Sequence, residues 1–208
     1  MQPPQLIDKH RLEALADGVY AIALTLLVLE LKLPALGTAS NEALVQALLA
    51  LLPKALVWLL SFWVMTVFWL GQQRALRMYE VLDHRAMQVE LVQLACISLL
   101  PFSTSLMGEH GDLAASAFIY ALHLAALAFL SLLRVQRVAR HLPLRSAAFD
   151  AWLVRQHVVR ARITLACALL ATALAYWLPG WNMLAMLLLL PLNRMAMKLV
   201  SPHDDGNT

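Results

Sequence analysis

The sequence of residues 11–34 reads Arg11-Leu-Glu-Ala-Leu-Ala-Asp17-Gly18-Val-Tyr-Ala-Ile22-Ala-Leu-Thr25-Leu26-Leu-Val-Leu29-Glu30-Leu-Lys32-Leu-Pro34. From Leu15 to Leu33 the run is almost wholly apolar, and a helix needs roughly 20 apolar residues to cross a bilayer core of about 30 Å. The run is longer than the apolar region of a signal peptide, carries Asp17 near its start, and is followed by no clear small-residue cleavage site. It therefore predicts a retained first transmembrane helix.

The remainder of the chain has the same apolar character. Of the 208 residues, 61% are hydrophobic and only 14% are charged, whereas soluble domains contain roughly 45–50% apolar and about 25% charged residues. A soluble globule of this length could not bury so much apolar surface. The sequence therefore predicts an all-α membrane protein, with one six-helix domain over residues 1–200 and a polar cytoplasmic tail over residues 201–208. The six predicted spans are Leu15–Leu33, Pro53–Gln72, Val89–Met107, Leu113–Leu133, Ile163–Leu178 and Trp181–Met197.

A shorter apolar segment, Asn41–Leu52, lies between the first two spans and is too short to cross the bilayer. Asn41 is a candidate N-cap, with Glu42 in the first turn, where a negative charge is favourable. Two interpretations remain open. The segment is either a short interfacial or re-entrant helix, or an extension of the second span that is interrupted at Pro53.

The distribution of basic residues predicts the orientation. Fourteen of the sixteen lysines and arginines fall on one side of the predicted spans, and only Lys32 and Lys54 fall on the other. The positive-inside rule places the larger group, and with it both termini, in the cytoplasm. These arginines are divided among four segments without interleaved aromatic residues, so no binding of nucleic acid is expected. Aromatic residues near several predicted helix ends suit the membrane interface: Tyr20, Trp58, Trp69, Tyr176, Trp177 and Trp181.

Asp17 and an apolar stripe are the notable features of the first helix. A carboxylate at the membrane boundary is either functional, because it must face protein or water, or simply stabilises the helix N-terminus. The neighbouring Gly18 permits a close helix contact. Ile22, Leu26 and Leu29 recur at i, i+4 and i+7 and share one face, with Thr25 at its margin. Periodicity alone assigns this stripe to lipid contact or packing.

The run from Arg11 to Pro34 resembles the signature of the transmembrane protein 175 family, the potassium channels of bacteria and endolysosomes. The family pattern is an arginine, a short gap, Phe-Ser-Asp-Gly-Val-Phe-Ala-Ile-Ala, then Thr-Leu-Leu-Val-Leu and a proline. Here residues 15–23 read Leu-Ala-Asp-Gly-Val-Tyr-Ala-Ile-Ala and residues 25–29 read Thr-Leu-Leu-Val-Leu. Two further stretches are similar to the family: Leu60-Ser61-Phe62 leading to Phe68-Trp69, and Leu99-Leu100-Pro101-Phe102-Ser103-Thr104 leading to Gly108-Glu109.

The resemblance implies a potassium-preferring cation channel in the plasma membrane of a prokaryote. The first helix would line a central pore, with Ile22 as the tightest constriction, Leu26 and Leu29 as further layers, and the Thr25 hydroxyl bearing on potassium preference. A chain with one six-helix repeat would assemble as a homotetramer. No Thr-Val-Gly-Tyr-Gly filter occurs in the sequence, and hydrophobic rings can gate a pore by dewetting. The implied partners are further copies of the chain and membrane lipid, and no cofactor is implied beyond permeant potassium.

The sequence departs from the family pattern at several positions. Leu15 and Ala16 stand where the family has Phe and Ser, and Gln72 stands where the family has a histidine three residues after Trp69. The resemblance implies a polar network that joins this position to Arg11 and Asp17. Gln72 can form hydrogen bonds but cannot titrate, so the network is expected to be altered.

A secondary transporter or proton pathway is the alternative function. It would use ionisable residues within the predicted spans, namely Asp17, Glu90 and His123. Hydrogen bonds between helices are the more common role for such residues, and for Gln93 and Ser98. Cys96 and Cys167 match no metal or redox spacing and are interpreted as packing residues. Neither an H-E-x-x-H zinc motif nor a G-x-S-x-G nucleophile motif is present, so neither an enzyme nor a metal site is expected.

Overall fold

The computed structural model describes residues 9–37, 40–80, 82–141, 146 and 151–200, with side chains described as far as residue 196. The predicted tail at 201–208 lies outside the described residues. We number the helices in chain order: α1 Lys9–Leu26, α2 Asn41–Ala50, α3 Leu52–Met78, α4 His84–His110, α5 Ala114–Arg140, α6 Ala151–Leu174, α7 Leu184–Leu187 and α8 Leu189–Val200. A 3₁₀ turn over Leu27–Glu30 extends α1.

The predicted all-helical membrane architecture is confirmed. Within the described ranges, five helices are long and apolar enough to cross a bilayer: α1 with its 3₁₀ extension, α3, α4, α5 and α6. All five extend past the predicted spans at the arginine-rich end. The extension is 5 residues or more in each case: for example, α4 already begins at His84, α5 continues to Arg140 and α6 begins at Ala151. Arginines that the sequence assigned to loops therefore lie in the outer turns of long helices. Hydropathy shows where a helix enters lipid, but it does not show where the hydrogen-bonded helix ends.

The sixth predicted span is not one continuous helix. Residues Trp181–Met183 form a 3₁₀ turn, α7 has only 4 residues, and Leu188 separates α7 from α8. Gly180 precedes this segment and has a φ of 79°, a backbone conformation that residues with a Cβ rarely adopt. The amide of Asn182 is buried and donates to the carbonyl of Ala171 at 3.1 Å. The predicted single helix over Trp181–Met197 is thus replaced by a broken one.

The segment between the first two spans forms a separate helix, α2, which leads almost directly into α3. Its N-cap is Ser40, whose hydroxyl accepts a hydrogen bond from the backbone N–H of Ala43 at 3.1 Å, so the assignment of the cap to Asn41 was wrong by one residue. Glu42 lies in the first turn, as predicted. No residue of α2 is buried by the described part of the chain.

The bundle is built around α5, which packs most extensively on α6 and α4, while α1 packs on α4 and α3. Tyr20 is among the core residues and is 1% exposed, so it is not the interfacial residue that the sequence suggested. In contrast Tyr176, Trp177 and Trp181 are exposed at the opposite end from the arginines. A hydrogen bond of 2.9 Å between the Ser61 and Tyr120 hydroxyls joins α3 to α5.

Candidate pore helix and polar network

The first helix has one packed face and one open face. Small and aromatic side chains pack into the core through Ala16, Tyr20 and Ala23, followed by Leu27 in the 3₁₀ turn. On the open face Ile22 is 62% exposed, Leu26 41% and Leu29 60%. The described chain by itself therefore leaves uncovered the apolar stripe that the sequence singled out.

The change from α-helix to 3₁₀ geometry keeps this stripe aligned. An α-helical residue turns the chain by about 100° and a 3₁₀ residue by about 120°. On this basis Leu26 and Leu29 both lie about 40° from Ile22 around the helix axis. The three side chains thus occupy one narrow face, although Leu29 lies beyond the end of the α-helical part.

Thr25 lies at the margin of the same face and is exposed. Its hydroxyl donates to the backbone carbonyl of Ile22 at 2.8 Å. A hydroxyl has one proton and two acceptor lone pairs, so this bond uses the proton and leaves the lone pairs available. The geometry suits a group that offers an oxygen ligand to a cation.

Asp17 connects α1 to α3. Its carboxylate accepts hydrogen bonds from the indole N–H of Trp69, at 3.0 Å, and from the side-chain amide of Gln73. Gly18 beside it is exposed, and a Cβ there would meet no atom within 4 Å. Close packing within the described chain therefore does not require glycine at that position.

The structure brings together only part of the polar network that the sequence implied. Asp17 and Trp69 are joined, but the glutamine that reaches Asp17 is Gln73. Gln72 is 1% exposed, and its amide nitrogen and oxygen have no hydrogen-bond partner among the described residues. Arg11 is exposed and has no polar contact with the described chain. The sequence could have indicated Gln73 as a partner of Asp17, because Gln73 lies one turn after Trp69 on the same helical face.

A buried ion pair, Glu90–Arg134, was missed by the sequence analysis. The Arg134 Nη1 group donates to both oxygens of Glu90, at 3.0 and 3.2 Å, and the two side chains are 2% and 0% exposed. The Tyr79 hydroxyl donates to the Arg134 carbonyl at 3.0 Å, and Gln93 donates to the Ser131 hydroxyl at 3.3 Å. The sequence analysis placed Arg134 in a segment between spans and so did not pair it with Glu90. The carboxylate of Glu90 within an apolar helix was the available indication that a cation lies close by.

His123 forms a separate polar contact in the middle of the bundle. Its Nε2 lies 3.0 Å from the carbonyl oxygen of Cys96, and its Nδ1 lies 2.8 Å from the Ser103 hydroxyl. A carbonyl only accepts hydrogen bonds, so Nε2 carries the hydrogen. Among the described residues no hydrogen bond connects His123, Glu90 and Asp17 to one another. The three ionisable groups of the transporter hypothesis thus do not form a continuous chain.

A second ion pair lies at the arginine-rich end. Asp83 accepts a hydrogen bond from the backbone N–H of Ala86 at 3.0 Å and so caps α4, and it also pairs with the guanidinium of Arg137 on α5. The hydrogen bonds from Arg137 hold the pKa of the Asp83 carboxyl below its ordinary value. No group of three or more His, Cys, Asp or Glu residues in the described ranges is placed to hold a metal ion.

Comparison with known sequences gives a consistent result. Residues 11–101 match the model of a family described as the endosomal/lysosomal potassium channel TMEM175. A potassium channel of Chamaesiphon minutus is 35% identical over 124 residues, which are 58% of this chain and 61% of that protein. A potassium channel of Streptomyces collinus is 30% identical over 147 residues, which are 69% of this chain and 68% of that protein. The alignment with the Chamaesiphon protein thus spans less than two thirds of that relative's length.

Two solved structures resemble the fold. A lysosomal potassium-selective channel TMEM175 homologue from Chamaesiphon minutus superposes with a TM-score of 0.77 at 28% identity, covering 90% of this chain and 97% of that one. The potassium channel MtTMEM175, solved as a T38A variant with a nanobody fusion, gives a TM-score of 0.61 at 15% identity, covering 95% and 93%. This second likeness concerns the fold alone. Given the Streptomyces alignment and the family-model match, the chain belongs to the TMEM175 family of potassium channels.

Proposed function

We propose that this chain forms a potassium-preferring cation channel whose pore is lined by α1. Ile22 forms the narrowest ring in this proposal, Leu26 and Leu29 form further apolar rings, and Thr25 supplies oxygen atoms beside the constriction. The channel needs no cofactor, has no enzymatic activity and lies in the plasma membrane of a prokaryote. Three relatives are named potassium channels, and two of them come from Chamaesiphon and Streptomyces. These names support potassium as the permeant ion and a prokaryotic membrane as the location.

The exposed apolar face of α1 is the observation that carries the proposal. The opposite face of the helix is packed into the core, so the helix is anchored while Ile22, Leu26 and Leu29 stay uncovered. One subunit cannot enclose a pore with a single helix face. Cyclic assembly of several copies would place these faces around a common axis, and a homotetramer is the assembly we propose.

Hydrophobic rings of this kind act on conduction through hydration. A narrow apolar segment expels water, and ions cannot cross it unless it widens or becomes wet. The Thr25 oxygen, with its proton donated to the Ile22 carbonyl, can replace part of the water around a cation. Potassium holds its hydration shell less tightly than smaller cations, so partial replacement by hydroxyl oxygens favours it.

The direct test is flux through the purified chain in liposomes, with Ile22→Asn compared to wild type under potassium and sodium gradients. An amide at the constriction retains water, so we expect greater flux or weaker discrimination between the two ions. Leu122→Asn is the matched control, because Leu122 is an exposed leucine on α5. Flux unchanged by Ile22→Asn would remove Ile22 from the pore, and flux that requires a counter-ion would favour a transporter.

A further inference from the structure

A crevice opens at the arginine-rich end of the bundle, away from the apolar stripe of α1. Its volume is about 230 Å³, and residues from α3, α5, α6 and α8 line it. The polar and charged side chains that matter here are Arg74, Ser131, Arg134, His157, Arg160 and Asn193. The proposed conduction mechanism uses none of them.

The charge around the crevice has one sign. The arginines of the crevice come from different helices, Arg74 from α3, Arg134 from α5 and Arg160 from α6, and none of the described residues that line the crevice is acidic. The Glu90 carboxylate is close to Arg134 but is already engaged by the Nη1 group of that side chain. Cations that share a partly enclosed space of low dielectric repel one another, and an anion bound between them would relieve that repulsion.

An unpaired donor lies at the same place. Arg134 is 2% exposed, and its Nε–H has no hydrogen-bond partner among the described residues. A buried guanidinium N–H without an acceptor is unfavourable, because it has lost its hydrogen bonds to water, so such groups normally have a partner. The crevice that Arg134 lines is where an additional acceptor could approach.

We propose that this crevice binds a phosphoryl anion, presented by the headgroup of an anionic membrane lipid. Phosphate oxygens are strong acceptors that suit guanidinium donors. Basic pockets between transmembrane helices on the cytoplasmic side are typical sites for such headgroups. The volume of about 230 Å³ is below the roughly 300–1,000 Å³ of pockets for drug-sized ligands, which fits a compact anion.

The surroundings of the crevice favour lipid over a soluble ion. α3, α5 and α6 are spanning helices, and the lining includes Leu70, an exposed apolar residue on α3. Arg74 is one turn further along α3 and is also exposed. A lipid could therefore lie along α3, with its acyl chains beside Leu70 and its phosphate between the arginines.

The test measures binding to the full chain in phosphatidylcholine nanodiscs and needs no ion flux, so it can fail independently of the channel proposal. The melting temperature is followed as the fraction of phosphatidic acid rises, and in parallel as inorganic phosphate is added. We expect a saturable increase with phosphatidic acid. Arg74→Gln should raise the half-saturating fraction about fivefold, the factor for about 1 kcal/mol per basic residue near anionic lipid, while Arg74→Lys should retain most of the affinity.

Arg162→Gln is the control, because Arg162 is an exposed arginine on α6 that does not line the crevice. It should leave the half-saturating fraction unchanged. Equal shifts in Arg74→Gln and Arg162→Gln would indicate general surface attraction and overturn the proposal, as would the absence of any saturable increase. An increase with inorganic phosphate alone that depends on Arg74 would support the phosphoryl site but identify its ligand as the soluble ion.

Discussion

Removal of the Glu90 carboxylate is expected to have a large effect on stability, because it would leave Arg134 charged and buried. The two side chains are 0% and 2% exposed and are joined by hydrogen bonds of 3.0 and 3.2 Å. Deleting one member of such a pair typically lowers the free energy of unfolding by about 3–5 kcal/mol. Proteins are stable by only about 5–15 kcal/mol in total, so Glu90→Ala should lose a substantial part of that stability.

A double variant isolates the interaction energy between the Glu90 and Arg134 side chains from the contacts that each makes with its neighbours. Replacing both residues by apolar side chains, as in Glu90→Leu with Arg134→Met, removes both charges at once and is expected to be neutral or stabilising by about 1–4 kcal/mol. The hydrogen bond from Tyr79 survives every variant, because its acceptor is the backbone carbonyl of residue 134. Wild type, Glu90→Leu, Arg134→Met and the double variant therefore form a double-mutant cycle in which only the side-chain pair changes.

The free energy of unfolding of each protein would be measured by denaturant titration in mixed micelles. Size-exclusion profiles would first confirm that each variant is folded. The reasoning predicts that the double variant is more stable than Glu90→Ala by several kcal/mol. A loss below about 1 kcal/mol in Glu90→Ala would mean that Arg134 finds water or another acceptor. Additive losses in the double variant would mean that the two charges do not depend on each other.

Three further outcomes are expected. Asp83→Asn should keep the cap of α4 but lose the ion pair, while Asp83→Ala should lose both and cost about 1 kcal/mol more, measured by thermal unfolding. The folded-state pKa of Asp83 lies below its ordinary value of 3.8, so the stabilisation by the ionised carboxyl is complete above pH 3.8 and is lost as pH falls through the folded-state pKa. If the melting temperatures of wild type and Asp83→Asn depended on pH in the same way, this explanation would be contradicted. Gln72→Met should raise the melting temperature, because it replaces a buried amide that has no hydrogen-bond partner among the described residues by an apolar side chain of similar length. A lower melting temperature would show that the amide has a partner in the folded protein. Thr25→Val should reduce the preference for potassium over sodium, and an unaltered reversal potential in bilayer recordings would remove the hydroxyl from the selectivity mechanism.

The sequence predicted those features that depend on hydropathy over long windows. Five of the six spans are present as helices, because a run of about 20 apolar residues in lipid has to satisfy its backbone hydrogen bonds internally. The sixth failed because its apolar composition does not reveal a backbone break, which depends on Gly180 and on the hydrogen bond from Asn182 to Ala171. Helix ends were also misplaced, since capping by Asp83 acts beyond the apolar region.

The candidate site was predictable only where the residues are neighbours along one helix. The alignment of Ile22, Leu26 and Leu29 follows from their spacing, and the exposure of that face could not be deduced without knowing which side packs on α3 and α4. The choice between Gln72 and Gln73 as partner of Asp17 depends on the rotation of α3 about its axis, which no local pattern specifies. The pairing of Glu90 with Arg134 spans 44 residues of chain and required the packing of α4 on α5.

That separation has a consequence for synthesis. Glu90 leaves the ribosome 44 residues before Arg134, an interval of about 2–9 s at translation rates of roughly 5–20 residues per second. During this time α4 contains a carboxylate without its cation, a poor candidate for partition into lipid on its own. Only Gly111–Leu113 separate α4 from α5, so the two helices can enter the membrane together as a hairpin that brings the charges into contact. The ion pair should therefore make insertion of α4 more favourable once α5 has been synthesised.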